Sequence, residues 1–422
     1  MANVDVNPAA TAPPPARLTP DRELVQRLLA SGGEDLKKCI QCATCSAVCE
    51  LSQERAPFPR KEMLWAQWGL RAPIYADPDL WRCHECHECT RRCPRGARPG
   101  DVMAALRREC ISHYSLFPGL GAWSNRPASL LLMLLGASGL LVVVLQIWQA
   151  LGWTDAELAA RHGHLVFPFW VRLPHGLLVA LFSLVVLLDV VVLGIGVRRF
   201  SRDLRSRVAT GPLPPETGSA SAPTTSSVLA RILWHEDFGL CRSPVRGLAH
   251  LLIVYGMLAL VLTSAWVVTA RINPLLGGLV YPLGWLSPWK VLANAGGLAA
   301  LAGCLVMAWS RLRQRDGAGP GTAADWSLLG QLLLVIVTGF ASEALHLARV
   351  EPLRWVVYVG HLASVLVLLF LLPHGKLAHA VYRTVALAVT APSKHHPAQR
   401  VDESTTAAHV VAAVAQGGGP SR

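Results

Sequence analysis

The sequence predicts an all-α protein in which a small helical domain precedes a bundle of six transmembrane helices. The chain has 422 residues, of which 52% are apolar and only 16% charged, whereas soluble domains carry roughly a quarter charged residues. Eight of the eleven cysteines lie between Cys39 and Cys93, and long apolar stretches begin only after residue 127. The cysteine-rich part shows no apolar alternation of the kind typical of a strand.

The first part of the chain has short helical patterns between its cysteines. Residues 1–18 are rich in proline and alanine, and we expect them to be disordered. Asp21 precedes RELVQRLLA and Gly32-Gly33 follows it, a pattern typical of a capped helix with an acidic first turn. PRKEMLWAQWGL also predicts a helix. We therefore expect a helical domain over residues 19–118.

The second part predicts a membrane domain over residues 128–385, followed by a flexible tail over 386–422. A transmembrane helix needs about 20 apolar residues, and six stretches meet that length. They cover residues 128–151, 173–197, 247–269, 289–309, 326–347 and 355–382.

The net charge of +12 belongs mainly to the apolar part. Residues 1–127 hold 17 Lys/Arg and 14 Asp/Glu, and the remainder holds 22 and 13, a distribution that does not indicate nucleic-acid binding. The loops and tail on one side of the predicted bundle carry 15 Lys/Arg against 6 on the other. The positive-inside rule then predicts an inner-membrane, multi-pass protein whose cysteine-rich domain and both termini are cytoplasmic.

The cysteines form two identical patterns, which we interpret as metal-binding because the N-terminal sequence lacks the apolar core of a signal peptide. Each run reads C-x2-C-x2-C-x3-C, the pattern of ferredoxins with two [4Fe–4S] clusters, in which the fourth ligand comes from the other run. Zinc sites favour paired C-x2-C knuckles instead. His84 and His87, inside the second run, are interpreted as solvated loop residues. The predicted ligand sets are Cys39, Cys42, Cys45 and Cys93 for one cluster, and Cys83, Cys86, Cys89 and Cys49 for the other.

Histidines in the predicted spans indicate haem ligands, since ionisable groups in lipid are usually functional. His361 and His379 are 18 residues apart, so in an unbroken helix they share one face and lie about 27 Å apart, unless Pro373 kinks the helix. This spacing suits two haems stacked across a bilayer. At the inner side we expect His379 to pair with His250, and at the outer side His361 to pair with His175, with His346 as the alternative.

These segments resemble known redox subunits. CIQCATC and CHECTRRCP are similar to the C subunit of heterodisulfide reductase. HLASVLVLLFLLPHGKLAH resembles the last helix of the respiratory nitrate reductase gamma subunit, and RGLAHLLIVYG its other haem helix, although Leu260 stands where that family has a second histidine. The fusion over residues 19–385 resembles the C subunit of quinone-interacting membrane-bound oxidoreductases.

The resemblance implies a cytochrome b bundle with one or two b haems, fused to a two-cluster ferredoxin domain. It further implies electron transfer between membrane menaquinone or ubiquinone and the cytoplasmic flavin/iron–sulfur A and B subunits, with adenylylsulfate reductase downstream. His374, Lys376 and Glu343 are candidates for quinone contact, and no catalytic residue is assigned. The alternatives are a subunit of another heterodisulfide-reductase-like or sulfite-reductase-linked complex, and a non-redox metal-binding membrane sensor.

Overall fold

The structure is a computed structural model, and all its regular elements in the described residues are helical, which confirms the predicted all-α class. The predicted disordered segment (except Leu18) and residues 391–422 of the predicted tail lie outside the described residues. The structure describes residues 18–54, 56–124, 127–151, 175–210, 230, 232, 244–273, 283–313, 321–350 and 353–390.

The cysteine-rich domain consists of short helices around one long helix. The first begins where the sequence predicts, because the Asp21 carboxylate accepts a hydrogen bond from the Leu24 amide at 3.0 Å. The elements are α1 (Arg22–Ala30), a 3-10 helix (Glu34–Lys38), α2 (Thr44–Ala47), α3 (Arg60–Trp68), α4 (Arg71–Tyr75), α5 (Asp79–Arg82), α6 (Glu88–Arg91) and α7 (Pro99–Tyr114). The central helix, α7, contributes the fully buried Val102, Met103 and Leu106 to the core of this domain.

Six of the following helices are long and apolar enough to cross a membrane. The elements are α8 (Pro118–Ser124), α9 (Pro127–Ala150), α10 (His175–Thr210), α11 (Pro244–Ile272), α12 (Pro288–Leu312), α13 (Ala323–Leu347), α14 (Leu353–Leu371), a 3-10 helix (Lys376–Ala378) and α15 (His379–Val389). Leucines such as Leu132 and Leu187 are each 59% exposed. Helices that present apolar side chains on the outside are stable in lipid, so the chain is a multi-pass membrane protein.

Small residues bring α11 and α12 into backbone contact. A Cβ atom added to Gly256 would collide with the backbone oxygen of Gly296, and one added to Gly303 would lie 2.6 Å from the backbone oxygen of Ala249. Close approach through small residues is typical of helix pairs in membranes, where dispersion contacts replace the hydrophobic effect. Among the described helices, α12 is the close packing partner of α11, while α14 packs against α13 and α9.

The last predicted span, 355–382, is wrong in its second half. Helix α14 ends at Leu371, the chain turns through residues 372–375, and α15 begins at His379. Pro373 has no amide hydrogen and disfavours helical geometry at the preceding residue. His361 and His379 therefore lie on different helices, and the prediction that they share one face of one helix is wrong.

The cysteine-rich domain and the membrane domain share one hydrophobic core. Phe200 near the end of α10 and Tyr382 in α15 are fully buried, and their rings pack against Trp81 of α5 with centroid distances of 5.6 and 5.1 Å. Helix α15 continues to Val389, with Ala386 fully buried and Leu387 6% exposed. This helix thus extends past residue 385, where the sequence predicts the end of the membrane domain.

Candidate iron–sulfur and haem sites

The two cysteine runs have the same backbone conformation. Gln41 and Ala43 flank Cys42 with φ values of 61° and 65°, and Glu85 and His87 occupy the equivalent positions with 51° and 60°. Left-handed conformations are uncommon outside glycine, so their repetition at matching positions marks the runs as structural repeats. A four-residue helix follows in each run and carries its third cysteine, Cys45 in α2 and Cys89 in α6.

Four cysteines from both runs line one small cavity. They are Cys39, Cys42, Cys45 and Cys93. The Ala97 amide donates a hydrogen bond to the Cys93 sulfur at 3.3 Å, and the Gln41 side-chain amide donates to the Cys39 sulfur at 3.5 Å. Hydrogen bonds to sulfur are among the features that tune the potential of an iron–sulfur cluster.

The other four cysteines are also neighbours. Burial, and to a smaller extent the nearby Cys83 and Cys86 sulfurs, raises the pKa of the Cys49 thiol to about 12. Burial likewise raises the pKa of Cys89, which has Cys83, Cys49 and Cys86 as electrostatic neighbours. Mutually repelling thiolates in a buried site suit a cationic iron core, since bound metal deprotonates coordinating thiols. The structure thus brings together the two predicted sets, and ligation by them stays a prediction.

Glu85, in the loop between Cys83 and Cys86, connects the second set to the membrane domain. Its carboxylate accepts from Lys376 Nζ at 3.0 Å and pairs with Arg107 Nη1 at 3.2 Å. Its backbone oxygen accepts from Arg246 Nη2 at 3.2 Å, at the start of α11. Burial raises the pKa of Glu85, but Lys376 and Arg107 outweigh it and hold the pKa well below the ordinary value. Glu85 is therefore ionised.

The predicted inner haem ligands lie in the elements that converge on Glu85. His379 Nδ1 is 2.5 Å from the Lys376 backbone oxygen, and a carbonyl only accepts, so Nδ1 carries the hydrogen and Nε2 is free of one. Metal-binding histidines typically make such a bond through their second nitrogen. Burial lowers the pKa of His379 to about 4. His250 lies four residues, about one turn, beyond Arg246 in α11. These features of His379 fit a haem ligand, and its pairing with His250 stays a prediction.

His361, the predicted outer ligand, is the ninth residue of α14 and lies against α13. The Thr338 hydroxyl donates to the Leu334 oxygen at 2.5 Å, so it accepts from His361 Nδ1 at 3.1 Å and leaves Nε2 without a hydrogen. His175 is the first residue of α10, and its side chain is outside the described part of the chain. His346 lies near the end of α13. Both remain predicted partners.

Three other residues that the sequence analysis named lie at three different places in the structure. Glu343 forms an ion pair with Lys290 at 2.8 Å, at the end of the bundle away from the cysteines. His374 is buried, with Nδ1 2.6 Å from the Ser115 hydroxyl. His87, interpreted from the sequence as solvated, is only 9% exposed, because the start of α7 covers it: its Nδ1 lies 3.8 Å from Asp101.

The fold and these residues define a class of protein, a helical two-cluster iron–sulfur domain fused to six membrane helices. Residues 35–97 match the 4Fe-4S dicluster domain family. The same region is 38% identical over 90 residues to the C subunit of the H(2):CoB-CoM heterodisulfide,ferredoxin reductase of Methanothermobacter marburgensis, covering 21% of this chain and 48% of the relative. A protein of Archaeoglobus profundus that is named as similar to the C subunit of heterodisulfide reductase is 35% identical over 95 residues, which is 22% of this chain and 49% of that protein.

A different relative extends into the membrane domain. The citrate utilization protein B of Escherichia coli is 26% identical over 374 residues, covering 83% of this chain and 89% of that protein. The chain spans about half the length of the heterodisulfide reductase relatives. No solved structure matches the chain. The comparisons and the fold thus show an iron–sulfur protein with six candidate membrane helices, whose cluster domain is similar to the C subunit of heterodisulfide reductase.

Proposed function

We propose that this chain is a membrane-bound electron-transfer subunit, which passes electrons between a quinone and two [4Fe–4S] clusters by way of one or two b haems. The observation that carries the proposal is the convergence on Glu85. This residue lies inside the second cysteine run and binds Lys376 and Arg246, which neighbour His379 and His250 in the chain. These contacts support a proposed inner haem site next to the second cluster.

The protein's own part in this function is to position cofactors and set their surroundings. When bound, the clusters and haems supply single-electron carriers, and these divide the electron pair of a quinol. The shared core around Trp81 and Tyr382 holds the cluster domain against the ends of the membrane helices. Lys376, Arg107 and Arg246 place positive charge beside the second cysteine set, which favours its reduced, more negative state.

We extend the proposal to the orientation of the chain in the membrane and to the proteins with which it exchanges electrons. The Lys/Arg distribution supports a cytoplasmic cluster domain, where the flavin/iron–sulfur A and B subunits, and adenylylsulfate reductase beyond them, would exchange electrons with it. A second candidate is an electron-transfer subunit for an enzyme of citrate utilisation, which the similarity over 83% of the chain favours. These candidates, and the alternative heterodisulfide-reductase-like and sulfite-reductase-linked complexes, differ in their partner proteins. Identification of the proteins that co-purify with the full chain from its native membrane therefore distinguishes them.

A reduced-minus-oxidised spectrum of the purified protein tests the redox function itself. We expect b-type haem bands and the EPR signals of reduced [4Fe–4S] clusters. His379→Gln should abolish the inner haem, because glutamine cannot replace an imidazole ligand. His113→Gln, in which a ring stacked on Tyr75 at 3.8 Å is replaced, is the matched control and should retain it. A protein without haem bands would instead favour the non-redox metal-binding sensor.

A further inference from the structure

A cavity of about 1000 Å³ lies where the cluster domain meets the membrane helices. This is at the upper end of the range of ligand pockets. One wall consists of residues of α1 and α7 in the cluster domain, including Arg108. The other is formed by Gly121 of α8, by residues 321–324 at the start of α13, and by His374 to Lys376 after α14. Because α13 begins and α14 ends beside the cavity, we place it at the level of the lipid headgroups.

Lys376 connects this cavity to both predicted redox sites. The residue lines the cavity, and its Nζ binds the Glu85 carboxylate inside the second cysteine run at 3.0 Å. Its backbone oxygen binds His379 Nδ1 at 2.5 Å. A molecule bound against Lys376 would therefore be separated from the loop of the second cysteine run by this one residue. The same residue separates it from His379, the predicted inner haem ligand.

The polar groups of the cavity suit a neutral ring with carbonyl oxygens. His374 is buried between the rings of Phe117 and Phe370, with centroid distances of 6.1 and 5.9 Å. The Ser115 hydroxyl accepts from the Phe117 amide at 3.3 Å, and its own hydrogen is available to His374 Nδ1 at 2.6 Å. The imidazole can therefore present its second nitrogen as a donor, or accept a proton there, as the serine hydrogen shifts.

Arg108 adds a cationic group to the opposite wall. Its guanidinium donates to the backbone oxygen of Ser31, and among the described residues no carboxylate forms an ion pair with it. The other lining cations are matched by acids, as Arg27 is by Glu109 at 2.8 Å. A quinone oxygen, which gains electron density on reduction, is a suitable partner for this guanidinium.

We propose that this cavity is the binding site for the quinone headgroup, with the isoprenoid tail in the lipid between the helix ends. The inference rests on the proposed function and adds the place at which the quinone and the protein exchange electrons. A quinol bound there loses two electrons and two protons to become the quinone. The acceptors would be the haem that His379 is proposed to hold and, beyond it, the two oxidised [4Fe–4S] clusters, so that each cluster finally holds one of the two electrons. His374 accepts the first proton and the second leaves to water. Quinone reduction is the reverse.

The test uses the full chain with its co-purified partners in lipid nanodiscs and menadiol as the electron donor. Ala323→Trp fills the cavity from an exposed lining position, and we expect it to raise the apparent KM for menadiol by about tenfold, or 1.4 kcal/mol. His374→Gln keeps a polar side chain but cannot carry the proton, and we expect it to lower kcat about a hundredfold and to change the pH profile. Ala348→Trp, exposed at the far end of the same helix, is the control and should leave both constants unchanged.

Two measurements keep the outcomes separate. Cluster reduction by dithionite, followed by EPR, should be normal in all three variants, which shows that they fold and assemble. A photoreactive quinone should label peptides that include residues 112–121 or 321–324. If the unmodified protein accepts electrons from dithionite but not from menadiol, the proposed quinone function fails. If menadiol reduces the clusters equally well in Ala323→Trp and His374→Gln, or if the label maps elsewhere, the function stands and the site is overturned. Protection of the cavity from labelling by anionic phospholipid, with no effect of quinol, would also overturn it.

Discussion

Paired cysteine substitutions distinguish crossed ligation of the two clusters from ligation within each run. In the crossed arrangement Cys49 serves the second cluster, together with Cys83, Cys86 and Cys89, because the structure places these sulfurs near one another. In the alternative, each run of four cysteines holds its own cluster. Both arrangements use all eight cysteines, so single substitutions do not separate them as clearly as pairs do.

The first pair is Cys49→Ala with Cys86→Ala. Crossed ligation places both residues on one cluster, so the set with Cys93 remains complete. We expect about one [4Fe–4S]+ spin per chain after dithionite reduction and about four irons, half of the content of the unmodified protein, since each cubane contains four irons. The second pair, Cys49→Ala with Cys42→Ala, removes one ligand from each crossed cluster. We expect about zero intact [4Fe–4S]+ spins from it.

Ligation within runs predicts the reverse. Cys42 and Cys49 would then share a cluster, so their double variant would keep about one spin and the Cys49/Cys86 variant would keep about zero. Spin quantitation together with iron and acid-labile sulfide analysis measures both numbers. The reverse result would refute the crossed assignment and would mean that the cavity lined by Cys93 and Cys39 does not hold a cluster in the way we infer.

Three further predictions concern the contact between the cluster domain and the bundle, and the bundle itself. Glu85→Gln removes the carboxylate that pairs with Lys376 of the membrane domain and with the buried Arg107 and should destabilise the domain contact by about 3–5 kcal/mol, measured as a lower thermal midpoint, whereas the exposed Glu23→Gln should have no effect. Tyr382→Ala removes a fully buried ring and should cost about 3–5 kcal/mol, seen as faster proteolytic release of the cluster domain. Gly256→Leu should separate α11 from α12 and lower the yield of folded protein in detergent, while Gly139→Leu, which meets nothing within 4 Å, should be neutral.

The sequence predicts the membrane helices well because their signal is local. Each helix is apolar on all sides over about 20 residues, and this requirement of the bilayer needs no knowledge of neighbours. The start of α1 is equally local, since Asp21 satisfies an amide three residues away. Whether the helix ends at Pro373 depends instead on its neighbours in the structure. Proline is tolerated within membrane helices when neighbours satisfy the freed backbone groups, so the sequence alone leaves a kink and an end equally open.

The cysteine sets can be predicted from local spacing, whereas the charged residues around them cannot. Spacing within 11 residues predicts a loop that wraps a cubane, and the resulting sets are brought together in the structure. Lys376 and Glu85 are 291 residues apart, and no periodicity relates them. In the sequence Glu85 has the pattern of a solvated surface charge, and Lys376, although a candidate for quinone contact, gives no indication that it binds Glu85. A charged residue one or two positions from a cysteine ligand, in a chain that also has a charge just after a membrane helix, is the only signal that could have pointed to this pair.

The break in the last helix changes what positions His379, the predicted inner haem ligand. In an unbroken helix His379 would belong to the membrane bundle, and its distance from the clusters would depend on how two domains dock. In the structure His379 begins α15, which packs against α5 and the end of α10 in the core shared with the cluster domain. Any rigid movement of the cluster domain therefore carries His379 with it. The distance between the second cysteine set and His379 is set by one shared core. The distance between His379 and His361 depends instead on the conformation of the turn at residues 372–375. If His379 holds a haem as proposed, electron transfer between it and the second cluster would thus be protected from domain motion, and we expect variation in rate to arise between the two proposed haem positions instead.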